Sequence, residues 1–180
     1  MIENDVIDKA IPHLAGLMFT APDKFFDQTK TIAAQLTQKH LSILRSRLHA
    51  DLPVPENVDQ SQLGLTGWLS ACQYTIFEVV YHMGVSAVPM LKEIAFGEYD
   101  WIQANALDLL TRFYMDGKLP VDIIDEIDSH LPEMRYESHL YYAQHLIALR
   151  RKDQRYETQV IQRIRNQDLH NAIAEIMEAR

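Results

Sequence analysis

Aliphatic and aromatic residues recur along this chain at three- and four-residue spacing, and strand-like alternation is scarce, which predicts a helical protein. Val6, Ile7, Ala10, Ile11, Leu14, Leu17 and Met18 mark a first helix, with Asn4 placed to cap it. A second stripe, Phe25, Thr29, Ile32, Leu36, Ile43, Leu44 and Leu48, predicts one long helix from Asp23 to Leu48 that opens favourably on Pro22. The pattern then stops. Residues 51–66 hold two prolines and no aromatic residue, the composition of a long loop of the functional or mobile kind. A third helix is expected from Gly67 to Met83, ended by Gly84. Ser86 opens a short helix that Gly97 ends, and Asp100 opens a longer one, Trp101 to Met115, that Gly117 ends. Two short helices, around Val160–Ile164 and Leu169–Ile176, close the chain.

One phrase occurs twice within this pattern. Ala10-Ile11-Pro12-His13-Leu14-Ala15-Gly16-Leu17 returns as Ala87-Val88-Pro89-Met90-Leu91-Lys92-Glu93-Ile94. Its aliphatic residues share one helical face, and its proline is expected near the helix start, where the missing N–H costs little. A further copy is looser. Val121, Ile123, Ile124, Glu126 and Ile127 match Val88, Met90, Leu91, Glu93 and Ile94 at an offset of 33, and Ala143, Leu146 and Ile147 match Ala106, Leu109 and Leu110 at 37. The four extra residues belong near Leu131-Pro132. The phrase, followed by a loop and an Ala-x-x-Leu-Leu helix, resembles HEAT-like repeats: best over 85–117, less well over 119–150, partially over 3–19. The resemblance implies an all-α, compact HEAT-like α-solenoid of about eight or nine helices. It is read as a single domain over 1–180, interrupted by the 51–66 loop and closed by a charged C-terminal cap over 153–180.

Composition removes several functions. No apolar run approaches the roughly 18 residues of a membrane span, and the acidic N-terminus is unlike a basic signal sequence, so the expected location is cytoplasmic, away from membranes. The single cysteine, Cys72, sits among Trp68, Leu69, Ile76 and Phe77 and reads as a small core residue. The net charge of −8 is uneven. Residues 91–149 carry 11 acidic and 4 basic side chains, whereas 150–180 carry 5 and 7. An acidic middle disfavours a phosphate backbone, so nucleic acid is not expected as a partner, and the glycosylase chemistry of some HEAT-like proteins is set aside with it.

Candidate chemistry is sparse. The eight histidines show no His-Glu-x-x-His, His139 and His145 point to opposite sides of one helix, and there is no paired-cysteine spacing, so no metal is expected. Gly-x-Ser-x-Gly, Gly-x-Gly-x-x-Gly and Walker patterns are absent as well, which leaves no cofactor and no enzyme to expect. What remains is recognition. Tyr99, Trp101, Tyr136 and Tyr141 are the candidate contact aromatics, and Asp122, Asp125, Glu126 and Asp128 the candidate attracting carboxylates on one short helix. Tyr142 and Trp101 fit core packing as well as they fit a surface. Small acidic HEAT-like proteins resemble the immunity proteins of bacterial contact-dependent toxin systems. That resemblance implies a non-enzymatic module that binds and blocks a basic, nuclease-type toxin domain. The alternatives are an enzyme of small-molecule or lyase type, with its pocket under the 51–66 loop near Trp68 and His82, or an adaptor in a larger assembly.

Overall fold

A computed structural model describes residues 2–59, 61 and 63–179, and every regular element among them is helical. These residues form two compact units, Met1–Met90 and Leu91–Arg180.

The first unit contains α1 (Ile2–Thr20), α2 (Pro22–Ala33), α3 (Leu41–Ser46) and α4 (Gly64–Met83). α1 lies against α2, α3 and α4, and α2 also lies against α4. Ile7, Ile11, Leu14, Phe25, Leu44, Ile76 and Phe77 are all at most 2% exposed and make the core. Removing such side chains from water is the main stabilising term, about 1.5–3 kcal/mol for each large one.

Three expectations are corrected here. α1 is already helical at Asn4, whose side chain lies outside the described residues, so the helix does not begin there. Pro12 is buried in the interior of α1 and not at its start; it removes one i→i−4 bond from a helix whose burial compensates the loss. The long second helix is broken. Thr37 turns extended at φ −127°, its backbone N–H donates to His40 Nδ1 at 2.9 Å, and a 3-10 turn, Gln38–His40, leads into α3. Threonine competes for backbone groups in this way, which makes it a poor helix interior and a good cap. α3 is tied back to α1 by Arg47, whose Nη2 donates to Asp8 Oδ2 at 3.0 Å.

The loop before α4 is held down. Leu52 and Val58 are buried, the Trp68 indole N–H donates to the Leu52 carbonyl at 2.7 Å, and Gln73 donates to the Leu48 carbonyl at 2.8 Å. Gly16 of α1 lies so close to the loop that a Cβ there would stand 3.3 Å from Pro55 and Val58 carbons. The helical pattern resumes at Gly64, so the last residues of the expected 51–66 loop belong to α4; Gln60 and Gln62 lie outside the described residues. α4 ends at Gly84, whose φ of 83° suits glycine.

The second unit takes in α5 (Val88–Ala95) from Leu91 onward, α6 (Gln103–Met115), α7 (Asp122–His130), α8 (Tyr136–Lys152) and α9 (Gln167–Glu178). Pro89 occupies the second position of α5, as the phrase requires. Ser86 does not cap α5: it lies in a preceding 3-10 turn and its hydroxyl donates back to the Met83 carbonyl at 3.4 Å. α6 begins at Gln103, later than expected, after Asp100 accepts the Ile102 N–H at 3.3 Å. It ends in a Schellman turn, with Lys118 N–H on the Phe113 carbonyl (2.9 Å) and Gly117 N–H on that of Tyr114 (2.8 Å). Gly117 has φ 71°.

α6 packs on α8 and α7, and α8 on α9. Lys92 of α5 pairs with Glu126 of α7, and Phe96 stacks on His130 at 4.2 Å. These two side-chain contacts link the α5 end to α7, while α6 lies against α8. The extra turn between α7 and α8 is a 3-10 segment, Leu131–Glu133. Before α9, the expected α-helix near Val160 is a π-helical turn, Glu157–Ile161, anchored by buried Val160, Ile161 and Ile164.

Candidate functional site

The acidic row sits on α7, whose apolar stripe, Ile123, Ile124 and Ile127, is buried and turns the carboxylates outward. Three of the four are engaged within the unit. Asp125 takes a bidentate pair from Arg163, Nε to Oδ1 at 2.8 Å and Nη2 to Oδ2 at 2.6 Å. The Arg163 hydrogen bond holds the Asp125 carboxyl below the usual carboxylate range, against a smaller opposing cost of burial. Asp128 Oδ1 accepts two backbone N–H groups, from Arg165 at 2.8 Å and Asn166 at 2.9 Å, and Asn166 in turn caps α9 by accepting the Leu169 N–H at 2.9 Å. Glu126 is paired with Lys92. Among the described residues, Asp122 alone of the four has no hydrogen bond or ion pair. The row thus fastens α9 and the segment before it to α7.

The candidate aromatics separate into surface and core. Tyr99, Trp101, Tyr136 and Tyr141 are 40–47% exposed, whereas Tyr142 is fully buried and shares a 2.7 Å hydrogen bond with Thr111. Desolvation pushes the Tyr142 phenol upward from its ordinary value, partly opposed by the Thr111 hydrogen bond. The even choice at Tyr142 and Trp101 is thereby decided, core for the first and surface for the second.

These residues do not form one patch. Tyr99 lies under the Arg135 guanidinium, 4.3 Å from the ring centroid, beside a cleft of about 190 Å³ that His130 and Glu133 also line. Tyr136 and Tyr141 belong to α8, where the Tyr136 hydroxyl donates to Glu175 Oε2 at 2.8 Å. That bond, then burial, then the charges of Glu175 and Asp168 raise the Tyr136 phenol above its ordinary value. Tyr141 lines an open groove of about 330 Å³ between α8 and α9. The sequence pointed to neither Arg135 nor the groove. The groove's signal, Leu140-Tyr141 with Ile176, was available as an apolar stripe left over after the core was assigned.

Chemistry beyond recognition has little to work with. Among the described residues no group of three or more His, Cys, Asp or Glu side chains stands together as metal ligands. Cys72 is 1% exposed, and burial pushes its thiol up to about 12, far from a reactive thiolate. Buried Asp108 stands 3.6 Å from Arg112 and 4.0 Å from His145 Nδ1, but Asp108 and His145 line none of the three concavities described in this section. Trp68 and His82 lie fourteen residues apart on α4, about 21 Å along a helix. A concavity of about 160 Å³ at the loop is lined by Phe19, Thr20, Asn57, Val58, Asp59 and Leu63.

Comparison with protein-family models, curated proteins and solved structures finds no match for this chain.

Proposed function

We propose that this chain is a non-catalytic protein-binding module whose second unit takes a basic protein partner, and that the partner is a nuclease-type toxin domain that it blocks. The observation that carries the reading is the exposure of Tyr99, Trp101, Tyr136 and Tyr141, each at least 40% open to water, on a unit with 16 acidic and 11 basic residues. Aromatic side chains gain most of their binding energy when a partner removes them from water, and surrounding carboxylates speed the approach of a basic surface. A nuclease surface shaped for phosphate supplies that positive charge.

Stoichiometric inhibition tests the reading. A nuclease domain recovered with the tagged protein from its native cells is purified and its activity titrated with the protein. Activity is expected to vanish at equimolar ratio, with an association rate that falls as salt is raised. Full nuclease activity at a large molar excess overturns the proposal.

A further inference from the structure

On α8, Glu137, Leu140, Tyr141 and Gln144 follow the i, i+3, i+4, i+7 spacing of a single helix face. That face forms one wall of the 330 Å³ groove, and Glu175, Ile176 and Ala179 form the other. Leu140, Tyr141, Ile176 and Ala179 supply an apolar lining, and Tyr136, 42% exposed, reaches its edge through Glu175. Met177, 50% exposed, accepts Arg150 Nη2 at 3.4 Å. The apolar residues of the neighbouring helices are covered: Leu107, Leu109, Leu110 and Phe113 of α6 and the isoleucines of α7 are all at most 3% exposed. The α8–α9 face is where this unit leaves an apolar stripe open.

The two carboxylates settle what fits. Glu137 has no hydrogen bond or ion pair among the described residues, and Glu175 accepts the Tyr136 hydroxyl. Covering them with an apolar or acidic surface would strip their water without replacing it, a cost that basic side chains on the incoming surface would remove. A second copy of this chain meets the opposite fate. In a groove-to-groove pairing the lining of the second copy would bring two more carboxylates, Glu137 and Glu175, and no basic side chain. The α7 row cannot serve the same purpose, because Asp125, Glu126 and Asp128 already hold Arg163, two backbone N–H groups and Lys92. A channel between two helices receives the side-chain ridge of a third.

We infer that the α8–α9 groove docks one amphipathic helix of a basic protein partner, its apolar face on Leu140, Tyr141 and Ile176 and its lysine or arginine residues on Glu137 and Glu175. The inference rests on the reading of the chain as the binder of a basic protein, and it moves the contact surface from α7 to α8 and α9. Helix-in-groove recognition uses this pattern of apolar anchors within a charged rim.

The probe is a short fluorescein-labelled leucine–lysine peptide of helical periodicity, followed by anisotropy at physiological salt beside a leucine–glutamate peptide of the same pattern. The lysine peptide is expected to bind and the glutamate peptide not. Tyr141→Lys, on an exposed position, is expected to weaken binding about tenfold or more, the loss of one buried anchor. Ala179→Trp, which fills the groove, is expected to do the same, with circular dichroism confirming that both variants stay helical. Asp122→Lys on α7 changes the net charge by two units, against one for Tyr141→Lys, and is nonetheless expected to alter affinity by less than about threefold, as a rim charge does. Equal binding of the two peptides, or equal weakening by Asp122→Lys and Tyr141→Lys, overturns the groove as the site. So does a dimer in sedimentation that Tyr141→Lys dissociates, which would make a second copy the occupant. The parent reading fails separately: toxin inhibition undiminished by Tyr141→Lys overturns the groove alone, whereas no inhibition by the unaltered chain overturns the basic-partner reading.

Discussion

The acidic helix α7 and the α8–α9 groove belong to the same unit, and each combines carboxylates with a neighbouring apolar stripe. They differ in what the chain has already done with those groups. On α7 the stripe is buried, and Asp125, Glu126 and Asp128 are occupied by Arg163, Lys92 and two backbone N–H groups. On the groove the stripe is open, Tyr141 is 47% exposed, and Glu137 stands without a partner among the described residues. Charge density alone therefore does not say which carboxylates are open to an incoming surface. A dense acidic row meets an internal basic segment, and once satisfied it acts as a fastener. The sparser pair of carboxylates at the groove stands beside uncovered aromatic surface, which is what the proposed partner would cover.

The adjacent tyrosines give the sharpest way to break this contrast. Tyr142→Ala empties a fully buried site and is expected to cost about 3–5 kcal/mol in urea unfolding, whereas Tyr141→Ala is expected to change stability by less than about 0.5 kcal/mol. Similar losses at both positions would mean that the groove wall belongs to the core. Asp128→Ala comes next. It leaves two N–H groups without their acceptor and is expected to cost about 1–2 kcal/mol, with faster amide exchange at Arg165 and Asn166. Unchanged exchange at those amides would show that the row fastens nothing.

The Asp125–Arg163 pair is the third case, and pH reads it. The folded-state pKa of Asp125 is lowered, so the pair contributes stability above the ordinary carboxylate value near 3.9, and that contribution is lost as pH falls through the lowered value. An NMR titration is expected to place the Asp125 midpoint below its ordinary value, and Arg163→Gln to return it; a midpoint indifferent to that substitution would dissolve the pair. The smallest effect belongs to Asp122→Lys, expected to cost no more than about 1 kcal/mol, since that carboxylate makes no hydrogen bond among the described residues and acts only through its charge at the start of α7. A larger loss would extend the fastener to the whole row.

Helix boundaries were legible at some single residues and not at others: the starts expected at Asn4 and Ser86 lie elsewhere. Gly84 and Gly117 both take positive φ and both end helices, and Pro89 opens α5. The break in the expected Asp23–Leu48 helix was not legible from periodicity. Leu36 and Ile43 are seven residues apart, two helical turns, so the apolar stripe continues across the 3-10 turn at Gln38–His40. The first copy of the repeated phrase misled for a related reason. Its proline lies deep in α1, because the apolar pattern before it extends the helix upstream, whereas the 3-10 turn at Val85–Ala87 stops the same extension before Pro89.

Local pattern was enough to specify helices throughout the described residues, Cys72 in the core, the α7 carboxylates turned to water and Tyr99 and Tyr136 facing solvent. These follow from the 3.6-residue period and from single side chains, information that lies within a turn or two of chain. It took the packing of distant helices to put Tyr142 inside and leave Tyr141 outside, to return Arg163 and the N–H groups of Arg165 and Asn166 to α7, and to set Glu137 and Glu175 on one groove. Those pairings join residues more than thirty positions apart, and a local pattern carries no record of which distant segment will arrive to cover it.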